Sequence, residues 1–81
     1  MKIQILGMGC PKCNQLEKNA REAAANLGLS AEFEKINNSD RIMEMGVMMT
    51  PALAVDGDVK SAGKLLTVDQ IAALLKASDG D

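Results

Sequence analysis

Residues 2–16 read KIQILGMGCPKCNQL. Lys2 to Leu6 alternates Ile3 and Ile5 with Lys2 and Gln4, the period of a strand with a buried face. Gly7 to Gly9 frees the backbone for a tight turn. Cys10 then stands at the N-cap position of a helix and Pro11 at its first position, where a missing N–H costs nothing. Apolar positions Cys13, Leu16, Ala20, Ala23, Ala24 and Leu27 recur at helical spacing, and Gly28 stops the run. Glu17 with Arg21, and Lys18 with Glu22, form four-apart pairs on the other side, each stabilising by ~0.3 kcal/mol, which marks that face as solvent-facing.

Outward from this unit, Ser30 to Ile36 reads as a second strand, although Phe33 and Ile36 have opposite parity. Asn38 and Ser39 offer N-caps for a short helix through Met45, closed by Gly46, and Val47 to Thr50 is loop. Pro51 precedes the apolar run Ala52 to Val55, where it interrupts no ladder. Asp56-Gly57 is a two-residue hairpin turn. Asp58 to Ala62 returns as a strand polar enough for an edge. Thr67 and Gln70 form a capping box with Leu66 and Ile71 as its hydrophobic staple, so a last helix runs from Val68 to about Ala77. The order is β-α-β-α-β-β-α: a parallel crossover followed by an antiparallel hairpin and a helix. The economical packing is a four-stranded mixed sheet flanked by helices, an α/β domain over residues 1–77 with 78–81 as a frayed tail.

The chain has 81 residues, room for one core and not two. Apolar residues make up 47 % with Phe33 the one aromatic, so Leu, Ile, Val, Met and Ala build the core. Nine basic and eleven acidic residues leave a net charge of −2, and no basic cluster interleaves with aromatics, which argues against nucleic acid. The first ten residues lack the apolar stretch of a signal peptide or a membrane span. The expected location is the cytoplasm, without a membrane partner. Thiols are kept reduced there, so a close cysteine pair points to catalysis or metal binding rather than a structural staple.

Cys10 and Cys13 are the only cysteines, and there is no histidine. Three apart at a helix start, they lie within one turn and can close a small disulfide ring. The first sulfur faces unpaired N–H groups and the positive end of the helix dipole, which favour a thiolate. Cys10 is the expected nucleophile. Cys13, one turn inside on the apolar face, suits the resolving role. The chemistry is thiol–disulfide exchange through a mixed disulfide, with the helix terminus supplying the activation that an imidazole gives elsewhere. Lys12 adds nearby charge, weakly, because it is solvated.

Two separated motifs carry a family resemblance. Cys10-Pro11-Lys12-Cys13 follows a strand and opens a helix, and Thr50-Pro51 stands immediately before the third strand. In both respects the chain resembles thioredoxins and glutaredoxins, most closely the small thioredoxin-like redox-disulfide proteins of archaea and bacteria. The resemblance spans Lys2 to Lys76 and implies the thioredoxin fold. It also implies a cis bond before Pro51, with Pro51 facing the disulfide and the backbone of Thr50 pairing with an extended substrate. The implied partners are protein disulfides and a reductase or thiol pool that restores the dithiol. The protein is expected to act as a monomer with no cofactor beyond the Cys10–Cys13 couple. Gly9 replaces the tryptophan that usually precedes the first cysteine, and no acid on the first strand stands behind Cys13. Ala62-Gly63 only partly resembles the glycine pair that holds glutathione in glutaredoxins.

Three other readings compete. A structural zinc site needs four ligands, which one chain does not supply. Inert core thiols conflict with the proline and glycines around Cys10. A soft-metal carrier is the stronger rival, because Met8, Cys10 and Cys13 resemble the M-x-C-x-x-C loop of heavy-metal-associated domains that bind Cu(I). Those domains run β-α-β-β-α-β, however, whereas this chain has helical signals after Ser39. Met43, Met45, Met48 and Met49 are expected mainly to fill core gaps. Met48 and Met49 are the exception, since they stand just before Thr50-Pro51, where the resemblance implies an adaptable apolar rim that contacts substrate.

Overall fold

The computed structural model describes residues 1–7 and 11–79. Its elements are β1 (Lys2–Leu6), α1 (Pro11–Asn26), β2 (Glu32–Ile36), α2 (Ser39–Glu44), β3 (Ala52–Val55), β4 (Asp58–Ala62) and α3 (Val68–Asp79). The four strands form one sheet in the order β2-β1-β3-β4, with β1 and β2 parallel and the other two pairings antiparallel. This is the α/β thioredoxin fold that the order of elements implies.

Local chemistry accounts for most boundaries. Helix α1 ends in a Schellman motif: Leu29 N–H donates to Ala24 O at 3.0 Å, Gly28 N–H to Ala25 O at 3.1 Å, and Gly28 takes φ +68°. Helix α2 is capped by Asn38, whose Oδ1 accepts from Asp40 N–H at 2.9 Å and Arg41 N–H at 3.2 Å. Before α3, Thr67 N–H donates to Gln70 Oε1 and Gln70 N–H to Thr67 Oγ1, at 3.0 and 3.2 Å, the reciprocal pair of a capping box. Asp56 and Gly57 both have positive φ, and the turn brings Val55 opposite Asp58. Helix α3 continues through Ser78 and Asp79, which the sequence reading gives to a tail. Neither residue is a helix stop, so the helix runs on toward Gly80, which with Asp81 lies outside the described residues.

Two apolar layers sandwich the sheet. On one face Ile3, Ile5, Leu53 and Val55 meet Leu16, Ala20, Ala23 and Ala24 of α1 and Ile71 and Leu75 of α3. On the other, Leu6, Ile36, Ala52 and Ala54 meet Ile42 and Val47 around α2. The opposite parity of Phe33 and Ile36 follows from this. Phe33 pairs with Ile3 and joins the α1 face, while Ile36 pairs with Leu6 and joins the α2 face. An edge strand between two layers sends one apolar side chain to each. All four residues of β3 are buried for the same reason, which turns alternation into a continuous apolar run.

The charged side of α1 is more structured than a solvated face. Glu17 pairs with Arg21 at 3.0 Å and with Lys35 of β2 at 3.3 Å, and Arg21 lies 4.5 Å from the centre of the Phe33 ring. Among the described residues no ion pair joins Lys18 to Glu22; both are exposed, and such pairs stabilise little. A second group gathers on Glu34, which accepts from Gln4 Nε2 at 2.9 Å and faces Lys2 and Arg41, each at 3.6 Å. Burial raises the Glu17 carboxyl, but the bonds to Arg21 and Lys35 outweigh it and hold the group below its ordinary value. The amide of Gln4, followed by the charges of Lys2 and Arg41, lowers Glu34.

Both carboxyls therefore bind protons less readily folded than unfolded. Their stabilising contribution is complete above the unfolded value of 4.5 and is lost as pH falls through the lower folded values. The urea midpoint is expected to hold from neutral pH to about 5 and then to decline. Glu17→Gln should lower the midpoint at neutral pH and make the acid decline shallower. Thr67→Ala, which removes the hydroxyl half of the capping box, should cost about 1 kcal/mol by urea titration at neutral pH.

Candidate functional site

The site forms where three chain segments meet at one end of the sheet. Leu6 pairs with Ile36 on one side and with Ala52 on the other, so Gly7 and Pro51 arrive at the same edge. The N–H of Gly7 donates to Ile36 O at 2.9 Å and extends the β1–β2 ladder by one residue. Helix α1 starts at Pro11 and places Cys13 in its first turn, 2 % exposed. A Cβ built on Gly7 would overlap Cys13 Sγ, approach Cys13 Cβ to 3.1 Å and lie 3.9 Å from Thr50 Cβ. Gly7, Cys13 and Thr50 are thus neighbours. Met8, Gly9 and Cys10 lie outside the described residues.

The remaining sequence-named positions divide by exposure. Pro51 is buried behind an exposed Thr50, and the bond between them is cis. No backbone hydrogen bond among the described residues uses the N–H or the C=O of Thr50, while Pro51 O accepts from Gly63 N–H at 2.9 Å. The third-strand entrance is thereby tied to the chain leaving β4, and Thr50 itself is exposed. Pro11 and Lys12 are exposed, and Lys12 makes no ion pair among the described residues.

Methionines border the site more fully than a gap-filling role allows. Met48 is 96 % exposed, Met43 71 % and Met49 66 %, and of the four only Met45 packs against the core. Met43 sits outside the core because α2 is too short to turn a second apolar row toward the sheet; Ile42 alone is buried. Beside Thr50 opens an apolar cavity of about 530 Å³ lined chiefly by Ile42, Met43, Val47 and Met48. Met49 lies over Gly63, where a Cβ would come within 3.0 Å of Met49 Cβ. Gly63 takes φ +76°, so its backbone as well as this contact suits glycine.

Two site residues escape the sequence reading. Gly7 reads as a turn residue, yet it is absent from the positive-φ positions; its missing side chain leaves room for sulfur. Gly63 reads as half of a glycine pair, and it instead supports Met49 and anchors Pro51. No local pattern marks either, because each is defined by a neighbour brought from elsewhere in the chain. The soft-metal reading of Met8, Cys10 and Cys13 gains no support. The element after β2 is helix α2 and not the second strand of a hairpin.

The family model for the thioredoxin domain matches residues 1–76. A thioredoxin of Methanothermobacter thermautotrophicus is 52 % identical over 75 residues, which cover 93 % of this chain and 97 % of the relative. A thioredoxin of Methanocaldococcus jannaschii is 40 % identical over 75 residues, covering 93 % and 86 %. With the sheet order, the helix that starts beside a cysteine pair and the Thr50-Pro51 corner, these matches place the chain in the thioredoxin family of thiol–disulfide oxidoreductases.

Proposed function

We propose that the chain is a dithiol electron carrier that reduces protein disulfides, with Cys10 as nucleophile and Cys13 as resolving thiol. The observation that carries this reading is the burial of Cys13 in the first turn of α1, against Gly7 and beside Thr50. Cys10 immediately precedes Pro11, the first residue of that helix. A thiolate at a helix start is stabilised by unpaired N–H groups and the dipole.

The Cys10 thiolate attacks one sulfur of a substrate disulfide, forming a mixed disulfide and expelling the other substrate sulfur as thiolate. The Cys13 thiolate then attacks Cys10, closing the Cys10–Cys13 disulfide and expelling the second substrate sulfur. The substrate gains two electrons and, once its thiolates protonate, two protons; the cysteine pair loses two electrons. A dithiol reductase or a thiol pool returns those electrons. The pair is the whole redox centre, with no separate cofactor.

Pro11 starts the helix without a donor to satisfy, and Lys12 adds exposed positive charge beside the reacting sulfur. The N–H and C=O of Thr50, which enter no backbone hydrogen bond among the described residues, suit an extended substrate segment laid alongside as an added strand. Met49 and its neighbours give that segment an adaptable apolar rim. No helix among the described residues is long and apolar enough to cross a membrane, and the proposed setting is the reducing cytoplasm, as a monomer.

Three variants test this. Reduced protein should precipitate insulin by cutting its interchain disulfides, and Cys10→Ser should abolish the reaction. Cys13→Ser should accumulate a covalent adduct with substrate, visible on a non-reducing gel and cleared by dithiothreitol. An active Cys10→Ser protein would overturn the assignment. Met49→Glu should lower kcat/KM for protein disulfides by about tenfold, the equivalent of ~1.4 kcal/mol of lost contact. Its rate with a small aromatic disulfide should be nearly unchanged.

A further inference from the structure

We infer that Gly7 is a positioning residue for the resolving step: its missing side chain is the seat of Cys13 Sγ, and it sets the depth at which that sulfur is held. The inference rests on the reading of Cys13 as resolving thiol. Three observations carry it. A Cβ on Gly7 overlaps Cys13 Sγ, a closer approach than an added Cβ makes at any other described glycine, and crowds Cys13 Cβ at 3.1 Å. Gly7 lies outside the positive-φ positions, so the backbone there does not demand glycine; space for the sulfur does. Neither partner can simply withdraw. Gly7 is tied to Ile36 O at 2.9 Å, and α1 is anchored one and two turns further on by fully buried Leu16 and Ala20.

A methyl group on Gly7 must therefore rotate the Cys13 side chain out of its seat, because rotation is the softest freedom left. The second exchange step requires Cys13 Sγ to attack the Cys10 sulfur in line with the bond to substrate. A new Cys10–Cys13 bond forms as the Cys10–substrate bond breaks, and the substrate sulfur leaves as thiolate. Displacement of about 1 Å at such a step costs on the order of a hundredfold in rate. The first step, attack by Cys10 on a free disulfide, makes and breaks no covalent bond at Cys13.

Gly7→Ala separates the two steps. Iodoacetamide labelling of Cys10 should proceed within about twofold of wild type, while the mixed disulfide with a protein substrate should persist on the order of a hundredfold longer. Gly28→Ala is the control for lost stability: it forces a side chain onto φ +68° at the far end of α1, with nothing within 4 Å of the added Cβ. Its mixed disulfide should resolve at the wild-type rate. Resolution by Gly7→Ala as fast as wild type, or equal slowing in Gly28→Ala, would overturn the inference.

A thermodynamic cycle reads the contact without any turnover. Cys13→Ala removes the sulfur, so Gly7→Ala should depress the urea midpoint much less in the Cys13→Ala background than in wild type. Equal depression in both would show that Sγ does not occupy this seat. The functional reading fails separately, if Cys13→Ser traps no adduct, and the cycle still decides where the sulfur sits.

Discussion

Everything in this fold hangs on the double burial of β1. The strand is paired along both edges, with β2 and β3, and covered on both faces, by α1 and α3 on one side and α2 on the other. Ile3, Ile5 and Leu6 are at most 2 % exposed, and each such side chain stabilises by about 1.5–3 kcal/mol relative to exposure. A strand so enclosed cannot slip by one residue, because that would exchange its two apolar sets and leave Gln4 and Lys2 facing α1. The end of β1 is consequently a fixed point.

The functional end inherits that rigidity. The register that sets Leu6 opposite both Ile36 and Ala52 also delivers Gly7 and Pro51 to one edge. Helix α1 is pressed on the same sheet through Leu16 and Ala20, so the depth of Cys13 is defined by packing rather than by its own turn. A first turn held between a strand end and a packed helix limits displacement of the Cys13 sulfur. Around the rim Met43, Met48 and Met49 are exposed, and their unbranched side chains can adapt to what they meet.

Polar interactions are distributed away from that rim. Glu34 collects Gln4, Lys2 and Arg41 toward the start of β1, and Glu17 links α1 to Lys35 and, through Arg21, to Phe33. These contacts tie the edge strand β2 to its neighbours, where apolar burial is thinnest: Phe33 is half-buried and Glu32 and Lys35 are exposed. Charged side chains along the same edge also discourage a further strand from adding there. The ion pairs thus gather along the β2 edge, whereas the surface around Thr50 carries the exposed methionines.

Sequence alone determined what depends on residues close along the chain. Gly28 and Gly46 stop their helices, Asn38 caps α2, Thr67 and Gln70 cap α3, and Asp56-Gly57 turns the hairpin; each signal lies within a few residues of the structure it makes. The two motifs that flank the site, Cys10 to Cys13 and Thr50-Pro51, are legible for the same reason. Tertiary structure decided the rest. The split of Phe33 and Ile36 between two layers, the bond from Glu17 to Lys35, the support of Met49 by Gly63 and the seat of Cys13 on Gly7 all join residues that only sheet order or helix packing makes neighbours. A local pattern records what a residue prefers, whereas these roles are set by what the fold places against it.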